Sequence, residues 1–203
     1  MRTISMIVVA LTLCVAGACS FASTNDSAAS PESGAAARDS LPTPIQDGVW
    51  SNLTVEQARA LASFPLAIPD PMPESLEVIT IMVSTSPPSG VQGKSNYAEV
   101  HIANAGGTSR IVLTETTREL HLNAGPSAIH STLDINGTSI DKVADPRGGG
   151  KTTLSYSWNS DGVWYSLVAL MPSANVTEAQ LEQVLADIIE SHATLANEWE
   201  GPV

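Results

Sequence analysis

Cysteine is almost missing from this 203-residue chain, which has only Cys14 and Cys19. Both stand at the N-terminal end, so the rest of the chain has no disulfide, no thiolate zinc site and no thiol nucleophile. Aromatic residues make up 4 % and charged residues 15 %, the latter well below the usual quarter. Positive charge is scarcest: 9 Lys and Arg stand against 21 Asp and Glu, for a net charge of -12. Without a basic cluster there is nothing to neutralise phosphates, which excludes nucleic acid as a partner. It also excludes charge-driven attachment to an anionic membrane. No apolar run reaches the roughly 20 residues a spanning helix needs.

Catalytic signals are equally sparse. His101, His121, His130 and His192 are scattered, with no H-E-x-x-H spacing, and G-x-S-x-G is absent. Glu99/His101 and Glu119/His121 repeat a Glu-x-His pattern, which reads as solvated strand faces rather than as metal ligands. The stretch "DPRGGGKTTLSY" (145–156) ends like a phosphate-binding loop at Gly150-Lys151-Thr152. Yet Asp145 stands where the first glycine of such a loop belongs, and its carboxylate would repel a triphosphate. The residues after Lys151 have strand rather than helix periodicity, so no helix N-terminus is available to hold phosphates. Residues 145–151 are expected to be a flexible loop between strands. No nucleotide, cofactor or metal is expected, and no enzymatic activity.

The N-terminal segment addresses the chain. Arg2 precedes an apolar stretch from Ile7 to Val15, and Ala16-Gly17-Ala18 is a small-residue cleavage site, so residues 1–18 read as a secretory signal peptide. Cys19, directly after it, resembles the lipobox cysteine of bacterial lipoproteins, which is diacylated with palmitate-class chains and becomes the mature N-terminus. Two acyl chains hold a membrane stably where one is marginal. The competing outcome is plain cleavage after Ala18 and release of a secreted protein. Residues 20–48 are rich in Ser, Ala, Pro and Gly, with Phe21, Leu41 and Ile45 as their only large apolar side chains. Such a segment cannot bury enough surface to offset its ordering entropy, and reads as a flexible tether carrying a domain at 49–196, with a tail at 197–203.

Within that domain, Thr54 and Gln57 are spaced as a capping box, and Pro65 ends the short helix they open. The crossing "PLAIPDPMPESL" carries four prolines and excludes helix or central strand. "LEVITIMVST" (76–85) is nearly all apolar and predicts a central strand. In "NYAEVHIANAGG" (96–107), Ala98, Val100 and Ile102 alternate with Tyr97, Glu99 and His101. "SRIVLTETTREL" (109–120) predicts the return strand. Asn136-Gly137 signals a hairpin, and a second hairpin turns about residues 159–162. There Leu154, Tyr156 and Trp158 share one face of their strand, and Tyr165, Leu167 and Ala169 share one on the partner strand. A second capping box at Thr177 and Gln180 opens a helix whose buried face is Leu181, Val184, Leu185, Ile188 and Ile189. The expected fold is α+β: an antiparallel sheet of hairpins, a short N-terminal helix, and a C-terminal amphipathic helix (177–192) packed on one face.

"LTVEQA", the crossing "FPLAIPDPMPESL", "LDINGTSI", "LSYSWNSDGVWYSLVA" and "VTEAQLEQVLADIIES" together resemble the bacterial domain-of-unknown-function family numbered 4367, over roughly residues 53–191. Ser75-Leu76 departs from it, where members usually have Gly and an aromatic. Members occur on lipoproteins and on the outer parts of membrane-bound anti-sigma factors. The resemblance implies no enzymatic activity and supplies no catalytic residue. The expectation is a non-enzymatic protein at the extracytoplasmic face of the cell membrane, held by lipid on Cys19. It would bind an envelope protein or an amphiphile through the sheet face left uncovered by helix, including some of Tyr97, Glu99, His101 and Trp164. A register slip of one residue would invert that list. The alternative is an extracytoplasmic enzyme or lipid carrier whose site assembles only in three dimensions.

Overall fold

The computed structural model describes residues 42–69, 71–73, 75–85, 96–104, 107, 110–122, 124–172 and 176–198. The expected signal peptide, Cys19 and most of the expected tether lie outside the described residues. Eight antiparallel strands form one sheet: β1 Val49–Trp50, β2 Leu76–Ser84, β3 Tyr97–Asn104, β4 Arg110–Thr116, β5 Ile129–Ile135, β6 Thr138–Arg147, β7 Lys151–Ser160 and β8 Val163–Met171. Helix α1 spans Val55–Leu61 and α2 spans Glu178–Glu198. The strand order is β1-β2-β3-β4-β8-β7-β6-β5. Two meanders therefore meet at β4 and β8. The chain leaves β4, crosses to the far edge, and returns strand by strand until β8 closes on β4. The fold is the expected α+β.

Local chemistry explains the turns. Asn136 (φ 52°) and Gly137 (φ 81°) both lie in the left-handed region, as do Asp161 (φ 50°) and Gly162 (φ 79°). These are two-residue hairpin turns whose twist matches that of the strands. Both capping boxes form. Thr54 Oγ1 accepts from the Gln57 N–H at 3.2 Å and Gln57 Oε1 from the Thr54 N–H at 3.0 Å. Thr177 and Gln180 do the same at 3.3 and 2.8 Å.

The core lies between the sheet and α2. Leu181, Val184, Leu185, Ile188 and His192 are the buried residues of that helix. They pack with a sheet face carrying Val100, Leu113, Leu154, Tyr156, Trp158, Tyr165 and Leu167. Burying each large apolar side chain contributes about 1.5–3 kcal/mol as an upper estimate. The proline-rich crossing adds Leu66, Ala67 and Ile68 to the same core.

Five details differ from the sequence reading. The strand at 76–85 is not central, because its outer neighbour is only the two-residue β1. A register shift between Val78 and Thr80 leaves Ile79 at 50 % exposure, so one apolar residue of the run is bulged out rather than buried. The segment 145–151 is no loose loop: Asp145 to Arg147 end β6 and a three-glycine 3-10 turn, Gly148–Gly150, leads directly into Lys151 of β7. Helix α2 runs to Glu198, beyond His192 and into the expected tail, and β4 stops at Thr116.

The end of the expected tether is also tied down. Val49 N–H donates to Gln46 O at 2.8 Å, and Thr85 N–H donates to Gly48 O at 2.7 Å. A Cβ at Gly48 would fall 2.0 Å from Thr85 Oγ1. Glycine is required there both for φ +70° and for that approach.

Candidate functional site

The register settles which residues share the face opposite α2. Tyr97 pairs with Thr116, and Thr116 with Trp164. The next row on the same face is Met82, Glu99, Thr114, Ser166, Ser157, Asp141 and Thr132. The row after it is Thr80, His101, Val112, Val168, Ser155, Val143 and His130. Tyr97, Glu99, His101 and Trp164, grouped from alternation alone, thus stand on one face. Tyr97 and Trp164 share a row, with Thr116 of β4 between them.

On β3 these side chains form a short chain of hydrogen bonds. Tyr97 Oη donates to Glu99 Oε2 at 2.7 Å, and His101 Nε2 lies 2.5 Å from Glu99 Oε1. Both carboxylate oxygens are engaged, so Glu99 fixes a phenol and an imidazole two residues apart on either side. The Glu99 and His101 side chains keep 24 % and 20 % exposure. Burial, with the Glu99 carboxylate as acceptor and neighbouring charge, pushes the Tyr97 phenol up to about 12. It therefore stays a neutral donor across the physiological range.

The face is not bare along its whole width. The connection between β4 and β5 passes over its far side, where Gly125 N–H donates to Asp145 Oδ2 at 3.1 Å. Arg147 Nη2 lies 3.0 Å from the same oxygen. Asp145, Val143 and Ser166, all on this face, are 4–5 % exposed. The carboxylate that spoils the phosphate-loop pattern is thus an anchor for a crossing segment. Exposure on this face is uneven: Tyr97, Glu99, His101 and Trp164 are half-buried, Thr116 between Tyr97 and Trp164 is buried, and towards the β5 edge His130, Thr132 and Asp141 are exposed. Around Glu99 this face carries a phenol, a carboxylate and an imidazole, with the Trp164 indole two strands away in the Tyr97 row.

Glu119 and His121 do not join Glu99 and His101, because both lie past the end of β4 and are solvent-exposed or nearly so. Among the described residues no group of three or more His, Cys, Asp or Glu is placed to hold a metal ion. Trp158 falls on the other face, stacked on Tyr165 at 4.9 Å between ring centroids. It is core.

A second polar group, absent from the sequence reading, lies beneath α2. Tyr165 Oη is 2.6 Å from His192 Nδ1, and His192 Nε2 is 3.3 Å from Asp161 Oδ2. Glu115, cross-strand neighbour of Tyr165, is fully buried. Its Oε2 accepts the Ala67 N–H at 2.9 Å, while Oε1 is buried without a partner. Burial pushes this carboxyl up to about 8, against the opposing pulls of the Ala67 N–H and the Arg59 charge. Burial and the nearby Glu115 and Asp161 charges push the Tyr165 phenol up as well. These groups tie the crossing and the end of α2 to the sheet. A separate cleft of about 680 Å³ runs between that crossing and α2, lined among others by Arg59, Pro69, Met72, Asp187 and Leu195. None of the four residues expected at the binding face lines it.

Among the described residues, no helix is long and apolar enough to cross a membrane. No family model, no curated protein and no solved structure matches the chain.

Proposed function

We propose that this chain is a non-enzymatic binding protein, lipid-anchored through Cys19 at the extracytoplasmic face of the cell membrane. It contacts an envelope protein or an amphiphile through the sheet face opposite α2. The observation that carries the reading is the shared placement of Tyr97, Glu99, His101 and Trp164. They sit half-buried on one face, with Glu99 holding its two neighbours in fixed positions. A preset phenol and imidazole beside an indole lose little side-chain freedom on binding, which favours affinity. The signal peptide, the cysteine after Ala18 and the likeness to the domain family numbered 4367 support the location and the absence of catalysis.

The test is substitution of Tyr97 and Trp164 by Ala in the full chain, read as capture of envelope proteins and of phospholipid vesicles beside thermal melting. Capture should fall with the melting temperature retained. Unchanged capture by the folded double variant refutes the assigned face. Substrate turnover abolished by one His or Asp change refutes the non-enzymatic reading. For the anchor, wild type and Cys19→Ala are partitioned in detergent; equal aqueous partition and no acyl mass on the wild type refute lipidation.

A further inference from the structure

The two edges of the sheet differ. At one, the outer strand is only Val49–Trp50, and the neighbouring segment also reaches β2, with Leu53 N–H donating to Ile81 O at 3.3 Å and Thr80 Oγ1 to Asn52 Oδ1 at 3.0 Å. At the other, β5 pairs with β6 over all seven residues in an unbroken register, and among the described residues nothing pairs with its outer side. Natural proteins guard such an edge with Lys, Pro, a bulge or a covering segment. Ile129–Ile135 reads IHSTLDI and has neither Lys nor Pro. Five of its residues are exposed, with Ile129 at 67 %.

We propose that β5 pairs antiparallel with β5 of a second copy of this chain, about a two-fold axis at Thr132. This rests on a different surface from the ligand face above. The sequence of β5 is nearly self-complementary about its centre. Antiparallel pairing there sets Thr132 against its own copy, His130 against Asp134, Ser131 against Leu133 and Ile129 against Ile135. Opposite charges and paired isoleucines are the cross-strand combinations that stabilise sheets.

The backbone has the matching parity. The two-residue Asn136-Gly137 turn makes Ile135 and Thr138 a hydrogen-bonded pair, and such pairs alternate along the ladder. Ile135, Leu133, Ser131 and Ile129 therefore point their main-chain groups at β6. Asp134, Thr132 and His130 point theirs outward. These are the residues that the axis at Thr132 brings opposite one another, so each outward pair exchanges two main-chain hydrogen bonds. An axis lying between two residues would break the parity, and one displaced by a full residue would keep the parity but lose the His130–Asp134 match. Because opposed residues in a pair share a face, both copies of α2 fall on the same side of the joined sheet. The strong negative charge of the chain opposes association in general. Asp134 is the only carboxylate on β5 and meets a histidine in this arrangement.

The test is analytical ultracentrifugation of the full chain in density-matched detergent over a range of protein concentrations. Wild type should show a concentration-dependent dimer. Thr132→Pro removes an outward N–H that β6 does not use, a position where an edge strand tolerates proline. It should give monomer with the melting temperature unchanged. His130→Asp places like charges opposite each other twice and should weaken the dimer about tenfold, whereas His130→Lys should keep it. If Thr132→Pro lowers the melting temperature, the two His130 variants decide. A wild type that stays monomeric to its solubility limit overturns the proposal. So does a dimer that persists in folded Thr132→Pro, or one indifferent to the sign of charge at 130.

Discussion

Glu115→Gln isolates one buried proton. In the folded chain burial holds this carboxyl at about 8, against an ordinary value of 4.5. Between those values the folded state keeps a proton that the unfolded state has released. Stability contributed by the group is therefore full below the unfolded value and is lost as pH rises toward the folded one. The slope is about 1.4 kcal/mol per pH unit. Between pH 5.5 and 7.5 wild type should lose about 2–3 kcal/mol from this group alone, while Gln, which does not titrate, loses nothing there. Gln keeps an oxygen for the Ala67 N–H and places its amide where Oε1 already lacks a partner. The assay is urea unfolding of both forms at the two pH values. Other titrating groups cancel in the difference between the forms. In melting temperature the gap should change by about 5–10 °C for a domain of this size. Parallel pH profiles would show that Glu115 titrates at its ordinary value and is not sealed beneath the crossing.

Gly48→Ala combines a left-handed φ with a methyl group driven into Thr85 Oγ1. It should lower the urea midpoint by the equivalent of about 1–3 kcal/mol, and a midpoint equal to wild type would detach residues 46–48 from the fold. Ile188→Ala empties a buried site between α2 and the sheet and should cost about 2–5 kcal/mol; a cost near zero in the same assay would contradict the packing of that helix face. Tyr165→Phe removes the 2.6 Å contact with His192 and should cost about 1–3 kcal/mol, with faster amide exchange in the last turns of α2. Unchanged exchange there would separate the network from the helix end.

Where an element is specified by neighbours in sequence, the chain announces it. The alternation in β3 placed Tyr97, Glu99 and His101 on one face, and the turns at Asn136-Gly137 and Asp161-Gly162 declare their positive φ through residue type. Both capping boxes come from a spacing of three. The meeting of β4 with β8 is different in kind, since no local signal says which strand returns beside which. Glu115 was hidden by its polarity. It continues the inward alternation of Ile111 and Leu113, and that periodicity places it inside. A carboxylate reads as solvated until the crossing is seen to bury the Ala67 N–H, which needs an acceptor. His192 likewise continues the buried helical face one turn beyond Ile188. Its partners, Tyr165 and Asp161, come from the β7–β8 hairpin, which only the tertiary fold brings near. Asp145 belongs to the same class, because the segment whose Gly125 it holds is fixed by sheet order rather than by neighbouring residues.

The most direct measurement of the binding face is photo-crosslinking from single positions of the full chain in cells. A photoreactive residue replaces His101, on the proposed face, or Gln183, on α2 within the cleft beside the proline crossing. The adducts are separated and identified by mass spectrometry. The proposed function requires a discrete protein or lipid adduct from position 101 that is absent or much weaker from position 183. Equal adducts from both positions, or a discrete adduct from position 183 alone, would contradict it.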